Sequence, residues 1–229
     1  MSVTSESNIV YNPSRKIPTD PKDIDHSDVP IRLFKSDFLE FFTHISPLVV
    51  IIIWVPVAIF FLVSGIIGLP VNVSWVVVPA GFLFGLALWT FAEYILHRFL
   101  FHYHPKNPTQ EKIFFLFHGV HHAQPQCKTR LVMPPILSVP LALLFYGLFS
   151  LVVGLFLGGP YWVPTLFSGF IVGYLAYDLT HYATHHFPMR RGIWKALKRY
   201  HMRHHYKTPD KLFGVSSPIW DYVFHTNSD

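Results

Sequence analysis

Ten histidines stand in four groups whose spacing suits metal binding: His97 and His102 in H-R-F-L-F-H, His118, His121 and His122 in H-G-V-H-H, His181 and His185 in H-Y-A-T-H, and His201, His204 and His205 in H-M-R-H-H. Side chains three or four positions apart share a helix face, so each of the last three groups can aim its imidazoles at a common point. His97 and His102 are five apart, about 140° around a regular helix, so His102 must reach the site from a bend or a helix end. A lone histidine on an apolar helix reads most simply as a hydrogen-bonded core residue; ten in four spaced groups do not. One tetrahedral zinc is filled by about four ligands, whereas two ions with four or five nitrogens each would use all ten. Imidazole serves iron, zinc, copper and nickel alike, so the ligand set leaves the metal open.

The elements that must position these side chains are apolar. Hydrophobic residues make up 51% of the 229, charged residues 14%, and the mean hydropathy is +0.35, far from an ordinary soluble domain. Residues 41–92 and 131–177 contain no Asp, Glu, Lys or Arg. Each run is long enough for two membrane-crossing helices of about 20 residues, with turn signals at Gly68-Leu69-Pro70 and Gly158-Gly159-Pro160. The expected fold is therefore an all-α integral membrane protein with four transmembrane helices in two hairpins, 47–69 with 75–96 and 136–157 with 161–180. A cytosolic helical cap from 97–130 and 181–229 would hold the dinuclear metal site. All 18 Lys and Arg lie in 1–40, 98–130 or 190–211, which puts the histidines and both termini on the cytosolic side. The net charge of +5 flanks apolar spans without any nucleic-acid motif, so anionic lipid headgroups, not nucleic acid, are the expected partner. Residues 1–30, rich in proline and polar residues, read as a flexible tail. Residues 31–42 read as an interfacial helix opening a single membrane domain, 31–229.

Two acids stand close to histidines at the ends of expected spans: Glu93 four residues before His97 and Asp178 three before His181. A carboxylate at membrane depth is costly unless paired, and accepting the far N–H of a metal-bound imidazole is a common arrangement, so both are expected behind the ligands. Tyr174 and Tyr177 are candidates for polar contacts to substrate or oxygen. The cations of 189–211 are expected on a solvated, membrane-facing surface, with docking of an acidic electron donor as the alternative. The lone Cys127 suits a reducing compartment.

The strings E-Y-I-L-H-R-F-L-F-H, F-H-G-V-H-H-A-Q-P-Q-C-K-T-R-L-V-M-P-P, Y-D-L-T-H-Y-A-T-H-H and Y-H-M-R-H-H-Y-K-T-P-D-K-L-F-G-V-S-S-P-I-W-D resemble the fatty acid 2-hydroxylase family over residues from about 90 to 224. The resemblance implies a di-iron monooxygenase of the endoplasmic reticulum membrane that uses molecular oxygen. Its substrate would be the alpha carbon of a long acyl chain, often that of a ceramide or another sphingolipid precursor. All ten histidines fall on the family's ligand positions, and Tyr177 and Asp178 on its Y-D pair; zinc could occupy the site in purified protein. Cys127 and His225 depart from the Asp and Gly expected there. Several members begin with a cytochrome b5 domain carrying His-Pro-Gly-Gly; residues 1–40 hold no such motif, which points to a separate cytochrome b5 and its reductase as electron donor. An acyl or sterol desaturase of the same metal class is the nearest alternative. A metal transporter is the alternative of another class, and it would place its ligands at the bilayer midplane.

Overall fold

Uncharged sequence builds the long helices, and the residues between them build what carries the histidines. The structure, a computed structural model, describes residues 23–156 and 159–227. In chain order the elements are α1 (Asp37–Phe41), α2 (Pro47–Ile67), α3 (Val77–Ile95), a π-helical turn over Leu96–Phe101, α4 (Pro108–Phe114), a second π-helical turn over Phe115–Gly119, α5 (Val120–Ala123), α6 (Pro135–Phe156), α7 (Trp162–His186), α8 (Gly192–Tyr206) and α9 (Ile219–Val223). The described residues form no β-sheet.

Three helices are long and apolar enough to cross a membrane: Pro47–Ile67, Val77–Phe101 and Pro135–Phe156. Four were expected, and the difference lies in α7. It has the length, 25 residues, but carries Thr165, Ser168, Tyr174, Tyr177, Asp178 and His181, all buried. It packs against α2, α3 and α6, and a helix wrapped in protein has no need of a lipid-compatible exterior. On α2 and α6, by contrast, Ile52, Ile59, Phe60, Leu143, Leu144 and Leu151 face outward, as apolar surface of this extent does when it meets lipid.

The α3–α7 pair packs backbone against backbone. A Cβ at Gly85 would stand 1.9 Å from the Leu166 carbonyl oxygen, and one at Gly169 would stand 1.9 Å from that of Phe82. Small residues at a crossing let helices come together where burial against lipid gives no driving force. Both helices run on from this crossing into histidine-bearing turns, so the crossing sets their relative height.

The amino-terminal expectations need correction. Of the tail over 1–30, residues 1–22 lie outside the described residues. The remainder is held in place: Ile24 is buried, Asp25 N–H donates to the Ala123 carbonyl, and buried Gln124 accepts from Ile31 N–H while donating to Asp25 and to the Val29 carbonyl. The interfacial helix shrinks to the single turn of α1. Glu40 accepts the N–H groups of Leu33 and Phe34, and Arg32 donates to the Phe34 and Lys35 carbonyls, so the backbone before Asp37 is committed to side chains and cannot enter a helix. Phe38 and Phe41 nevertheless stay exposed on α1, as an interfacial segment requires.

Candidate metal centre

The five-residue spacing of His97 and His102 is resolved by the first π-helical turn. Its wider winding closes bonds from i to i+5, and His102 N–H donates to the His97 carbonyl at 3.0 Å. The bend expected from the sequence is this turn, and it brings the two rings to 4.9 Å. The second π-helical turn, over Phe115–Gly119, leads directly into α5 and the H-G-V-H-H group.

All ten histidines are buried, and their nitrogens converge into two groups of five. The first centre takes His97, His102, His118, His122 and His204; the second takes His121, His181, His185, His201 and His205. The H-x-x-H-H groups therefore do not each aim at one point. His118 and His122, four apart, serve the first centre, while His121 between them serves the second. His201 and His205 serve the second, and His204 the first. The i,i+4 pair lines one helix face, and the intervening residue points aside toward whatever packs there. Lys198 ties α8 to the end of α7 by donating to the Thr184 and Phe187 carbonyls, which brings His201 and His205 opposite His181 and His185.

The donor set fits cations. The Nδ1 atoms of His97 and His204 face the Phe213 and Lys211 carbonyls. A carbonyl only accepts, so each Nδ1 carries the hydrogen and each neutral ring presents a bare lone pair at Nε2. The Nε2 atoms of the ten rings face one another: His97 and His118 are 3.1 Å apart, His118 and His122 3.1 Å, His102 and His204 3.1 Å, and in the second centre His121 and His181 2.9 Å, His121 and His205 3.0 Å, His185 and His201 2.9 Å. Converging lone pairs repel unless a positive charge lies between them. Nitrogens bound to one ion at about 2.1 Å stand roughly 3.0–3.4 Å apart, so these separations are of the size that a shared ion requires. Burial, with repulsion between neighbouring imidazoles, holds His102, His118, His121, His122, His201, His204 and His205 well below the ordinary imidazole range. They are neutral at physiological pH, the form that binds metal.

The acids work one step further back than the sequence suggests. Glu93 accepts from Val215 N–H, Ser216 N–H and Ser216 Oγ, not from His97. It grips the F-G-V-S-S loop, whose Phe213 carbonyl meets His97. Asp178 accepts from Met133 N–H at 3.2 Å and from the Tyr174 hydroxyl at 3.1 Å, not from His181. It pins the R-L-V-M-P-P loop to α7. Backbone amides nearer to each carboxylate in space outcompete the imidazole nearer in sequence. Sequence reasoning missed Asp221, which is fully buried and accepts from Phe213 N–H, Gly214 N–H and Thr226 Oγ1. Its place in P-I-W-D was visible, its role was not. The two backbone carbonyls that orient His97 and His204 carry no sequence signal.

An apolar cavity of about 600 Å³ reaches this centre. His118, His121, His181, Tyr177 and Asp178 line its inner end, and Leu137, Pro140 and Leu141 of α6 line its wall. Leu100, Phe117, Ile136 and Leu144 line it too and are also exposed on the surface, so it opens sideways. Tyr174 does not line it; packed against Trp54 and Trp89, it serves Asp178 instead.

A family model described as fatty acid hydroxylase matches residues 82–226, the stretch holding every one of these histidines. The chain belongs to the fatty acid hydroxylase family. It is 39% identical to a dihydroceramide fatty acyl 2-hydroxylase of Arabidopsis thaliana, over 85% of this chain and 79% of that protein. It is 39% identical to a ceramide very long chain fatty acid hydroxylase of Schizosaccharomyces pombe, over 83% of this chain and 53% of that one, and 34% identical to a mouse fatty acid 2-hydroxylase, over 86% and 56%. The chain thus spans most of its plant relative and about half of the fungal and mammalian hydroxylases. A solved structure of full-length scs7p, with only the hydroxylase domain visible, superposes with a TM-score of 0.74 at 38% identity, covering 84% of this chain and 70% of that one.

Proposed function

We propose that this hydroxylase is a membrane di-iron monooxygenase that inserts one oxygen atom at the alpha carbon of long-chain fatty acyl groups in ceramide or another sphingolipid precursor. The observation that carries the reading is the junction of an apolar, side-opening cavity with two five-histidine centres. A methylene becomes a hydroxymethylene while dioxygen, two electrons and two protons supply the inserted oxygen and one water. Two iron ions, when bound, supply the oxygen activation that no side chain can provide.

The chain's own residues do the rest. The ten imidazoles would hold the ions. Leu137, Pro140 and Leu141 bind the acyl tail and keep water from the reacting carbon. Tyr177, lining the inner end, orients the polar head so that the alpha carbon lies nearest the histidines. Glu93, Asp178 and Asp221 keep the loops that shape this end from shifting. We place α7 as a fourth crossing enclosed by the other three, the histidine-bearing cap and both termini in the cytosol, and the protein in the endoplasmic reticulum membrane. A separate cytochrome b5 with its reductase then delivers electrons from the cytosolic side, while the acyl chain enters from the bilayer.

Lipid analysis after expression in cells lacking their own 2-hydroxylase tests this. Acyl chains heavier by one oxygen, with fragmentation locating it at carbon two, are expected. Loss of two hydrogens instead would make the enzyme a desaturase and refute the assignment.

A further inference from the structure

The two centres are built from the same five-imidazole set but are not supported equally. Buried polar atoms without a hydrogen-bond partner include Nδ1 of His121, His185, His201 and His205, four of the five residues of the second centre. No nitrogen of the first centre is among them, and two of its five rings, His97 and His204, have an acceptor behind Nδ1. There, His97 and His204 give their Nδ1 hydrogens to the Phe213 and Lys211 carbonyls, and the Phe213 loop is gripped in turn by Glu93 and Asp221.

We propose that the two centres bind their ions unequally: the centre of His121, His181, His185, His201 and His205 holds its ion more weakly and releases it first. The inference rests on the reading of these histidines as metal ligands. An acceptor behind an imidazole N–H raises the basicity of the opposite nitrogen and fixes the ring's direction, and losing such a partner typically costs 10–100-fold in metal affinity. In the second centre four of the five rings converge without that support. At limiting metal the protein carries one ion, in the first centre. Because oxygen insertion needs both, the second centre sets the free metal concentration at which the enzyme becomes active.

Zinc, which takes no part in electron transfer, is the probe. The purified full chain in detergent is stripped, loaded with zinc, diluted into excess EDTA, and its residual zinc measured over time by mass spectrometry after desalting. Two phases of one equivalent each are expected. In His201→Ala the fast equivalent disappears; in His204→Ala the slow one does. A titration of the metal-free wild-type chain with zinc against a competing chelator needs no variant, and two affinities differing by about 10–100-fold are expected. Two equivalents leaving together, two equal affinities, or loss of the fast phase in His204→Ala in place of His201→Ala would overturn the inequality alone. Failure to bind any zinc would overturn the metal reading with it.

Discussion

Replacing Gly169 by alanine tests whether the α3–α7 crossing sets the metal centres. The added methyl group would lie 1.9 Å from the Phe82 carbonyl oxygen, about 1.5 Å short of the 3.4 Å at which ordinary van der Waals contact begins. The opposing atom is backbone, so no rotamer change relieves the clash and the helices must part or slide. Overpacking a well-filled interface costs about 1–3 kcal/mol, which in a chain of this size lowers Tm by several degrees at roughly 2–4 °C per kcal/mol. The displacement is carried along α7 to His181 and His185 and along α3 to His97, where neighbouring nitrogens stand only 2.9–3.1 Å apart. A shift of an ångström there is a large fraction of that spacing, so metal content falls together with Tm. Gly147→Ala is the control: nothing lies within 4 Å of a Cβ at that position on α6, and alanine is the better helix former. Thermal unfolding in detergent and the metal-to-protein ratio read both effects. Gly169→Ala matching Gly147→Ala in Tm and in bound metal would refute the reasoning.

Acidification of the metal-free protein acts through the buried imidazoles. Burial lowers their folded-state affinity for protons, so below about pH 6.5 the unfolded chain binds more protons and stability falls as pH falls, by about 1 kcal/mol per imidazole between pH 6.5 and 5.5. A Tm unchanged over that range would show that they are not buried and neutral. Asp221→Ala strips the acceptor from three donors, at about 1–3 kcal/mol each, and should lower Tm by roughly 10 °C or more with loss of metal from the first centre; full metal content would detach the Phe213 loop from the centre. His225 adopts φ +56°, the left-handed region that glycine favours. His225→Gly should therefore stabilise by up to about 1 kcal/mol in thermal unfolding, and no rise in Tm would show that the histidine side chain earns its place there.

Much of the molecule was legible in the sequence because its signals are local. Charge-free runs located α2, α3 and α6 to within a residue or two of their ends, since lipid-facing helices must be apolar along their length. The π-helical turn at His97 was legible as a bend because a spacing of five fits no regular helix. α7 was harder to class, as its polar residues make sense only once its neighbours enclose it. Glu93 and Asp178 were found as buried acids, yet their partners lie 122 and 45 residues away along the chain, and no local pattern announces such a pairing.

By itself the sequence determined that ten histidines gather at the ends of apolar helices in numbers suited to two ions, because ligand type, spacing and hydropathy are properties of short segments. Only the tertiary structure decided which histidine serves which centre and which of them a backbone carbonyl supports. Within H-G-V-H-H and H-M-R-H-H, positions three and four apart both face roughly the same way. The choice between His121 and His122, or between His204 and His205, falls to the helix packed opposite, and that helix is brought there by contacts distant in sequence.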